Sequence, residues 1–322
     1  MILEELIRIP SPSREEGAAA DYLCSALSCL NPRRKGNNLW MSKGSGPVIL
    51  MDAHIDTVRP VEGWSRDPYE PAVEDGCLYG LGSCDDGGSL QAMVDAFQMI
   101  DPTKTTLVLS LSAEEEVSGK NGLESILPEI GPIVCGIIGE PTGLEMAISE
   151  KGLMVLDCVA RGKAGHAARR DGINAIYEAM EDIRILREYG FQVTRIEAGT
   201  QHNVIPDSCR FVVDVRTDGN NLDTLEAIKG LIRSEVTPRS TRLNGSCIPE
   251  GHPLVKAGMA IGLKAVSSPT LSNRALCPFP TIKFGPGDSL LSHSANENIS
   301  LRSIREATKL YSQLYENLEQ RL

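Results

Sequence analysis

Two periodicities alternate along the first 150 residues. Ala18, Ala19, Tyr22, Leu23, Leu27 and Leu30 recur at helical spacing over 14–30, and Ser13-Arg14-Glu15-Glu16 has the form of a capping box at its start. Residues 47–53 are almost continuously apolar up to His54, as expected of a strand buried on both faces. Leu90, Met93, Val94 and Phe97 predict a helix over 88–100. A second buried strand is expected at 105–112, a short helix at 121–127 and a third strand at 132–139. Strands alternating with helices predict an α/β fold with a mainly parallel sheet.

The pattern then changes. Residues 153–160 alternate as a strand, 173–189 form a long amphipathic helix, and 192–198 and 209–216 read as strands. A helix at 222–235 and an edge strand near 240–247 complete a β-α-β-β-α-β order, the signature of a ferredoxin-like α+β unit. A helix at 254–265, a strand at 280–284 and a helix at 301–320 return to the first style. The expected organisation is one α/β domain from 1–150 and 250–322, with a smaller domain inserted at 151–249. No internal repeat or low-complexity segment interrupts it.

Composition narrows the functional classes. Hydrophobic residues at 41% with 23% charged are globular values. No apolar run approaches the ~18 residues of a membrane span. With 43 acidic against 32 basic residues the net charge is −11, which argues against a nucleic-acid partner and suits metal ions or amine-bearing substrates. The nine cysteines form no C-x-x-C pair. The acidic amphipathic opening lacks a basic, cleavable leader. A cytoplasmic protein with reduced thiols is the expectation.

In open α/β sheets, ligands gather at the carboxyl ends of the strands. There the sequence puts Asp52-Ala53-His54-Ile55-Asp56, Ala113-Glu114-Glu115-Glu116, Glu140-Pro141-Thr142, and Gly285-Pro286-Gly287-Asp288 followed by His293. A glycine-rich loop, Gly80-Leu81-Gly82-Ser83-Cys84-Asp85-Asp86, adds two more acids. Several unscreened carboxylates in one cleft repel strongly, and a divalent cation is the simplest remedy. Histidine and carboxylate donors without cysteine suit zinc, and also manganese or cobalt. Period two puts His54 and Asp56 on one strand face, so Asp56 is expected to accept from the other ring nitrogen of His54 and fix its tautomer.

Taken in order, His54-Ile55-Asp56-Thr57-Val58, the Gly-x-Gly-x-x-Asp loop at 80–85, the acidic triplet 114–116, Glu140-Pro141-Thr142, Gly165-His166 and the 285–293 segment resemble the dinuclear-zinc aminoacylase/carboxypeptidase family over nearly the whole chain. That family includes acetylornithine deacetylase and succinyl-diaminopimelate desuccinylase. The resemblance implies a catalytic domain holding two divalent metals, with the inserted domain as lid and dimerisation domain. It assigns His54, Asp85 and Glu140 to one metal and Asp85, Glu116 and His293 to the other. Glu115 is then the general base, the run of three glutamates leaving that register open by one. His166 would steady the oxyanion from the partner subunit of a homodimer, and Asn203 and Arg216 would hold the substrate carboxylate. His202 and His252 match no family role.

Leu81 and Gly87 stand where the family loop commonly has Arg and Lys, and Asp86 adds a competing ligand candidate. The stretches around 28–30 and 189–192 are compressed. The variant looks closest to the acetylornithine deacetylase branch of Bacteroidetes-type bacteria, some members of which act on succinylated intermediates. The implied activity is removal of an acetyl or succinyl group from ornithine, citrulline or lysine, as in arginine biosynthesis, with a di- or tripeptidase or carboxypeptidase as the alternative. A dinucleotide-binding oxidoreductase fits less well, because Gly80-x-Gly82 lacks the rest of the fingerprint. A non-catalytic relative fits less well because every metal-binding position and the base are filled.

Overall fold

The computed structural model describes residues 1–169 and 171–322. The chain forms two compact units, one from Met1–Ser149, Cys247–Ser268 and Ser272–Leu322, the other from Glu150–Ser246 with Pro269–Leu271.

The first unit is built on a sheet with a parallel centre. Among the described residues the sheet has nine strands, six of which run in the order Asn38–Gly44, Thr106–Ser112, Val48–His54, Ile133–Ile138, Thr281–Lys283, Met146–Glu150. The middle four pair in parallel and the two flanking strands are antiparallel. Val48–His54 shows why the centre is apolar: Ile49, Met51 and Ala53 pack into one cluster, Leu50 into the cluster on the opposite face. Helices Gly87–Met99 and Leu301–Glu319 contribute heavily to the first cluster, and Leu123–Ile130 supplies Leu123 and Ile126 to the second. A mixed α/β fold with a mostly parallel centre results, and all four parallel strands release their loops at one edge.

Several elements depart from the sequence pattern for identifiable reasons. The capping box does not form: the helix begins at Gly17 with Glu16 as N-cap, and the Ser13 hydroxyl instead donates to Asp56 Oδ2 at 2.6 Å. The strand Asn38–Gly44 escapes sequence notice because only its first four residues are buried. The predicted helix 254–265 stops at Ala260, with Gly262 in left-handed backbone (φ +88°) leading to a strand at Ala265–Ser268. His252 caps that helix, its Nδ1 accepting from Leu254 N.

In the second unit four antiparallel strands lie in the order Gln192–Ala198, Ser208–Thr217, Gly152–Arg161, Glu235–Pro238. Alternate residues of Gly152–Arg161 face a core shared with helices Ala175–Glu188 and Asn221–Leu231. The second helix ends at Leu231 rather than 235. The buried Asp182 carboxylate captures the backbone N–H groups of Arg233 and Ser234, turning the chain early into its edge strand. No helix among the described residues is long and apolar enough to cross a membrane.

Candidate metal centre

His54 ends a central strand, 3% exposed. Its Nδ1 lies 2.9 Å from the backbone oxygen of Asp56 and 3.5 Å from Asp56 Oδ1. The main-chain carbonyl makes the shorter contact, and the Asp56 carboxylate expected to fix the tautomer stands beside it on the same nitrogen. That carboxylate faces the next loop: Oδ1 accepts from Glu115 N at 3.0 Å, and Oδ2 from Glu116 N at 3.1 Å and from the Ser13 hydroxyl. Asp56 therefore anchors the short 3-10 turn Glu115–Val117 by its backbone.

With Nδ1–H donated to a carbonyl, the neutral ring directs its Nε2 lone pair at Asp85 Oδ1, 3.1 Å away. A lone pair opposed to a carboxylate oxygen is repulsive unless a proton or a cation lies between them. A second imidazole crowds the same carboxylates: His293 Nε2 is 2.8 Å from Glu116 Oε2 and 3.6 Å from Asp85 Oδ2. Two sets of donors, His54–Asp85–Glu116 and His54–Glu115–Glu140, each bring one atom per residue within 4.8 Å of the others. All are nitrogen or carboxylate oxygen, the donor types that zinc, manganese and cobalt accept. The residues present fit a bound divalent cation.

The electrostatics agree. Burial pushes Glu115 well above the usual carboxylate range, and pushes Glu140 up to about 8 against the opposing charge of Lys283. The hydrogen bond to Glu116 raises His293 to about 9. The cluster thus keeps protons where it has no cation to neutralise it.

Six of the residues singled out from sequence, His54, Asp85, Glu115, Glu116, Glu140 and His293, meet at this edge with Asp56 behind them. Glu114 turns away and accepts from Asn121 Nδ2 at 2.9 Å. Asp86 belongs to neither donor set; it is buried beside Gly139, where an added Cβ would fall 2.7 Å from its Oδ2. Sequence reasoning passed over Ser292, whose hydroxyl donates to Asp85 Oδ2, and Lys283, whose Nζ lies 3.8 Å from Glu140 Oε2. It also passed over Glu297, 1% exposed, which bonds the backbone of the Asp85 loop. Only their nearness in sequence to His293 or to the 280–284 strand could have flagged them.

His166 and Asn203 lie in the second unit on paired segments: His166 pairs with Val204, and Ala167 N donates to the Asn203 oxygen at 2.9 Å. Arg216 is not with them. It sits near the far end of Ser208–Thr217, roughly 26 Å along an extended strand from Ser208, and makes a two-pronged pair with Asp214 at 2.8 and 3.2 Å.

Fold and site together define a class, an α/β protein with a histidine–carboxylate, metal-compatible centre at the strand ends. The chain belongs to peptidase family M20/M25/M40, whose description it matches over residues 50–317. It is 28% identical, over 98% of its own length and 96% of the relative's, to a provisionally named LysW-lysine/LysW-ornithine hydrolase of Pyrobaculum aerophilum. It is 29% identical to the acetylornithine deacetylase of Pectobacterium carotovorum (85% and 81% covered) and 25% identical to the succinyl-diaminopimelate desuccinylase of Thioalkalivibrio sulfidiphilus (98% of each). A Staphylococcus aureus tripeptidase shares the fold with TM-score 0.81 at 19% identity, covering 99% and 97% of the two chains. A Bacillus subtilis protein titled a dinuclear metal binding peptidase does so with TM-score 0.74 at 17% identity, covering 99% and 95%.

Proposed function

We propose that this M20 hydrolase removes an acetyl or succinyl group from the amine of an amino acid such as ornithine, citrulline or lysine, using two divalent metal ions. The observation that carries this reading is the convergence of the His54 and His293 Nε2 atoms on carboxylates, with the His54 lone pair opposed to Asp85, an arrangement that makes sense around cations. His54, Asp85 and Glu140 would hold one ion, and Asp85, Glu116 and His293 the other. Zinc suits this donor set, with cobalt or manganese as substitutes. The acylated-amino-acid substrates named for the relatives support the substrate class, and with it a step in arginine biosynthesis. The Leu81 and Gly87 variant of the loop favours the acetylornithine deacetylase branch of Bacteroidetes-type bacteria.

When bound, the metals acidify a water towards pKa ~7 and polarise the amide carbonyl. Glu115 takes the proton of the attacking water and returns it to the departing amine. Asp56 keeps Glu115 in reach through the backbone bonds of its turn. His166 donates to the oxyanion that forms on the former carbonyl oxygen.

Asn203 and Arg216 would bind the substrate carboxylate. Because Asn203 precedes the strand Ser208–Thr217 and Arg216 lies near that strand's far end, a single site would draw Asn203 and His166 from one chain and Arg216 from another. A homodimer through the second unit fits. Tyr177 and Met180, one helical turn apart, and Ile196 on the edge strand Gln192–Ala198 are exposed apolar residues that a second copy would cover.

The test is a hydrolysis panel of N-acetyl- and N-succinyl-ornithine, -citrulline and -lysine against di- and tripeptides, with and without chelator. Acyl amino acids should be cleaved, chelator should abolish activity and zinc or cobalt should restore it. Preference for peptides would transfer the assignment to a peptidase. Activity indifferent to chelation in metal-free protein would remove the metal centre.

A further inference from the structure

The loop Gly80–Asp85 carries the carboxylate expected to bridge the two metals, and its shape depends on a group outside the ligand set. Gly80 (φ +152°) and Gly82 (φ +73°) adopt backbone that side-chain-bearing residues rarely take. The resulting turn directs successive N–H groups inward, the kind of concavity that binds an anion. Glu297 fills it. Its Oε2 accepts from Gly82 N at 2.9 Å, and its Oε1 accepts from Cys84 N at 2.8 Å and Asp85 N at 3.0 Å. Its backbone oxygen accepts from Gly80 N at 3.1 Å. Glu297 is in neither set of converging donors among the described residues, so its carboxylate is spent wholly on main chain.

The same short segment grips Asp85 at its other end. The Ser292 hydroxyl donates to Asp85 Oδ2, and His293 approaches that oxygen to 3.6 Å. Within six residues, one segment thus holds the Asp85 backbone through Glu297, its carboxylate through Ser292, and supplies His293 itself. We propose that Glu297 is a positioning residue that sets the Asp85 carboxylate at its working distance from His293, and so governs the metal site these two share more than the site at His54. This rests on the dinuclear reading of the centre.

The experiment uses the full chain stripped of metal, titrated calorimetrically with zinc, and with cobalt(II) while the visible absorption of each equivalent is followed. Glu297→Gln preserves shape but turns an amide NH2 toward N–H donors. It should weaken one equivalent by roughly 10- to 100-fold and alter that equivalent's cobalt spectrum, leaving the other equivalent within about 3-fold. Glu297→Asp, which keeps the charge, should recover part of the loss. A merely structural role would lower the melting temperature without changing the spectrum. Should Glu297→Gln not fold, Ser292→Ala removes the other grip on Asp85 and should weaken the same equivalent.

Wild-type affinity and spectrum for both equivalents in Glu297→Gln would overturn the proposal, as would equal weakening of the two. If that variant does not fold, unchanged binding in Ser292→Ala would do so. A wild type that binds no metal overturns the reading of the centre as well; a wild type that binds two beside unaffected variants overturns this inference alone.

Discussion

Asp56→Asn separates two roles that one carboxylate could play. In the wild type, two oxygens serve three donors, Glu115 N, Glu116 N and the Ser13 hydroxyl. Asparagine retains one acceptor oxygen, and its NH2 must face a backbone N–H that cannot reverse its polarity. Ser13 can rotate to accept, but one amide of the Glu115–Val117 turn loses its partner, at about 1–3 kcal/mol. If the turn shifts by the order of an ångström to regain one, Glu115 moves with it, and such a displacement costs about 10²-fold in kcat, or about 2.7 kcal/mol. The His54 ring keeps its shorter bond through the change, because its Nδ1 contacts the backbone oxygen of residue 56 at 2.9 Å against 3.5 Å for the carboxylate, and asparagine keeps that oxygen. Metal affinity should therefore stay within about 3-fold of wild type. The assay is kcat and KM on an N-acylated amino acid across a series of cobalt concentrations, with metal content per chain measured alongside. Full recovery of kcat by excess metal would refute this reasoning and return Asp56 to the role of orienting His54. An unchanged kcat would refute it too.

Two further outcomes are expected. Glu115→Gln should lower kcat by roughly 10²- to 10⁴-fold while the purified protein keeps its metal, read by metal analysis beside steady-state kinetics; retained activity would remove Glu115 as the base. Glu319 accepts five hydrogen bonds from Thr103, Lys104 and Thr105, and although burial opposes its ionisation these bonds bring it down to about 2. Its folded pKa is below its unfolded one, so the stabilisation is present above about pH 4.5 and fades as pH falls towards 2. Glu319→Gln should cost about 1–3 kcal/mol at pH 7 in urea unfolding, and the gap to wild type should close near pH 2.

What could be read from sequence was local periodicity and what stands at its ends. Val48–His54 is legible because every residue but Asp52 and His54 is apolar, and parallel strands necessarily present their final residues at one edge. Glu114, Glu115 and Glu116 could not be told apart, since their difference lies in Asn121, which draws one acid away, and in the distant Asp56, which holds the backbone of the other two. Ser13 read as a cap because its own stretch satisfies the motif, yet Asp56, 43 residues away, competes for its hydroxyl. The end of the second helix at Leu231 belongs to Asp182, about 50 residues earlier in the chain. Contacts of that range leave no periodic trace.

The separation between Glu297 and the turn it fills also bears on how the protein is made. Asp85 N and its acceptor are 212 residues apart, and Ser292 reaches Asp85 across 207. During synthesis the glycine turn leaves the ribosome long before the anion that closes it. Closing so long a loop costs entropy that only late, long-range contacts return, which places this step among the slow ones of folding. Competence to gather both halves of the centre therefore waits on residues 292–297, so that a nascent chain cannot assemble a working hydrolase before they emerge.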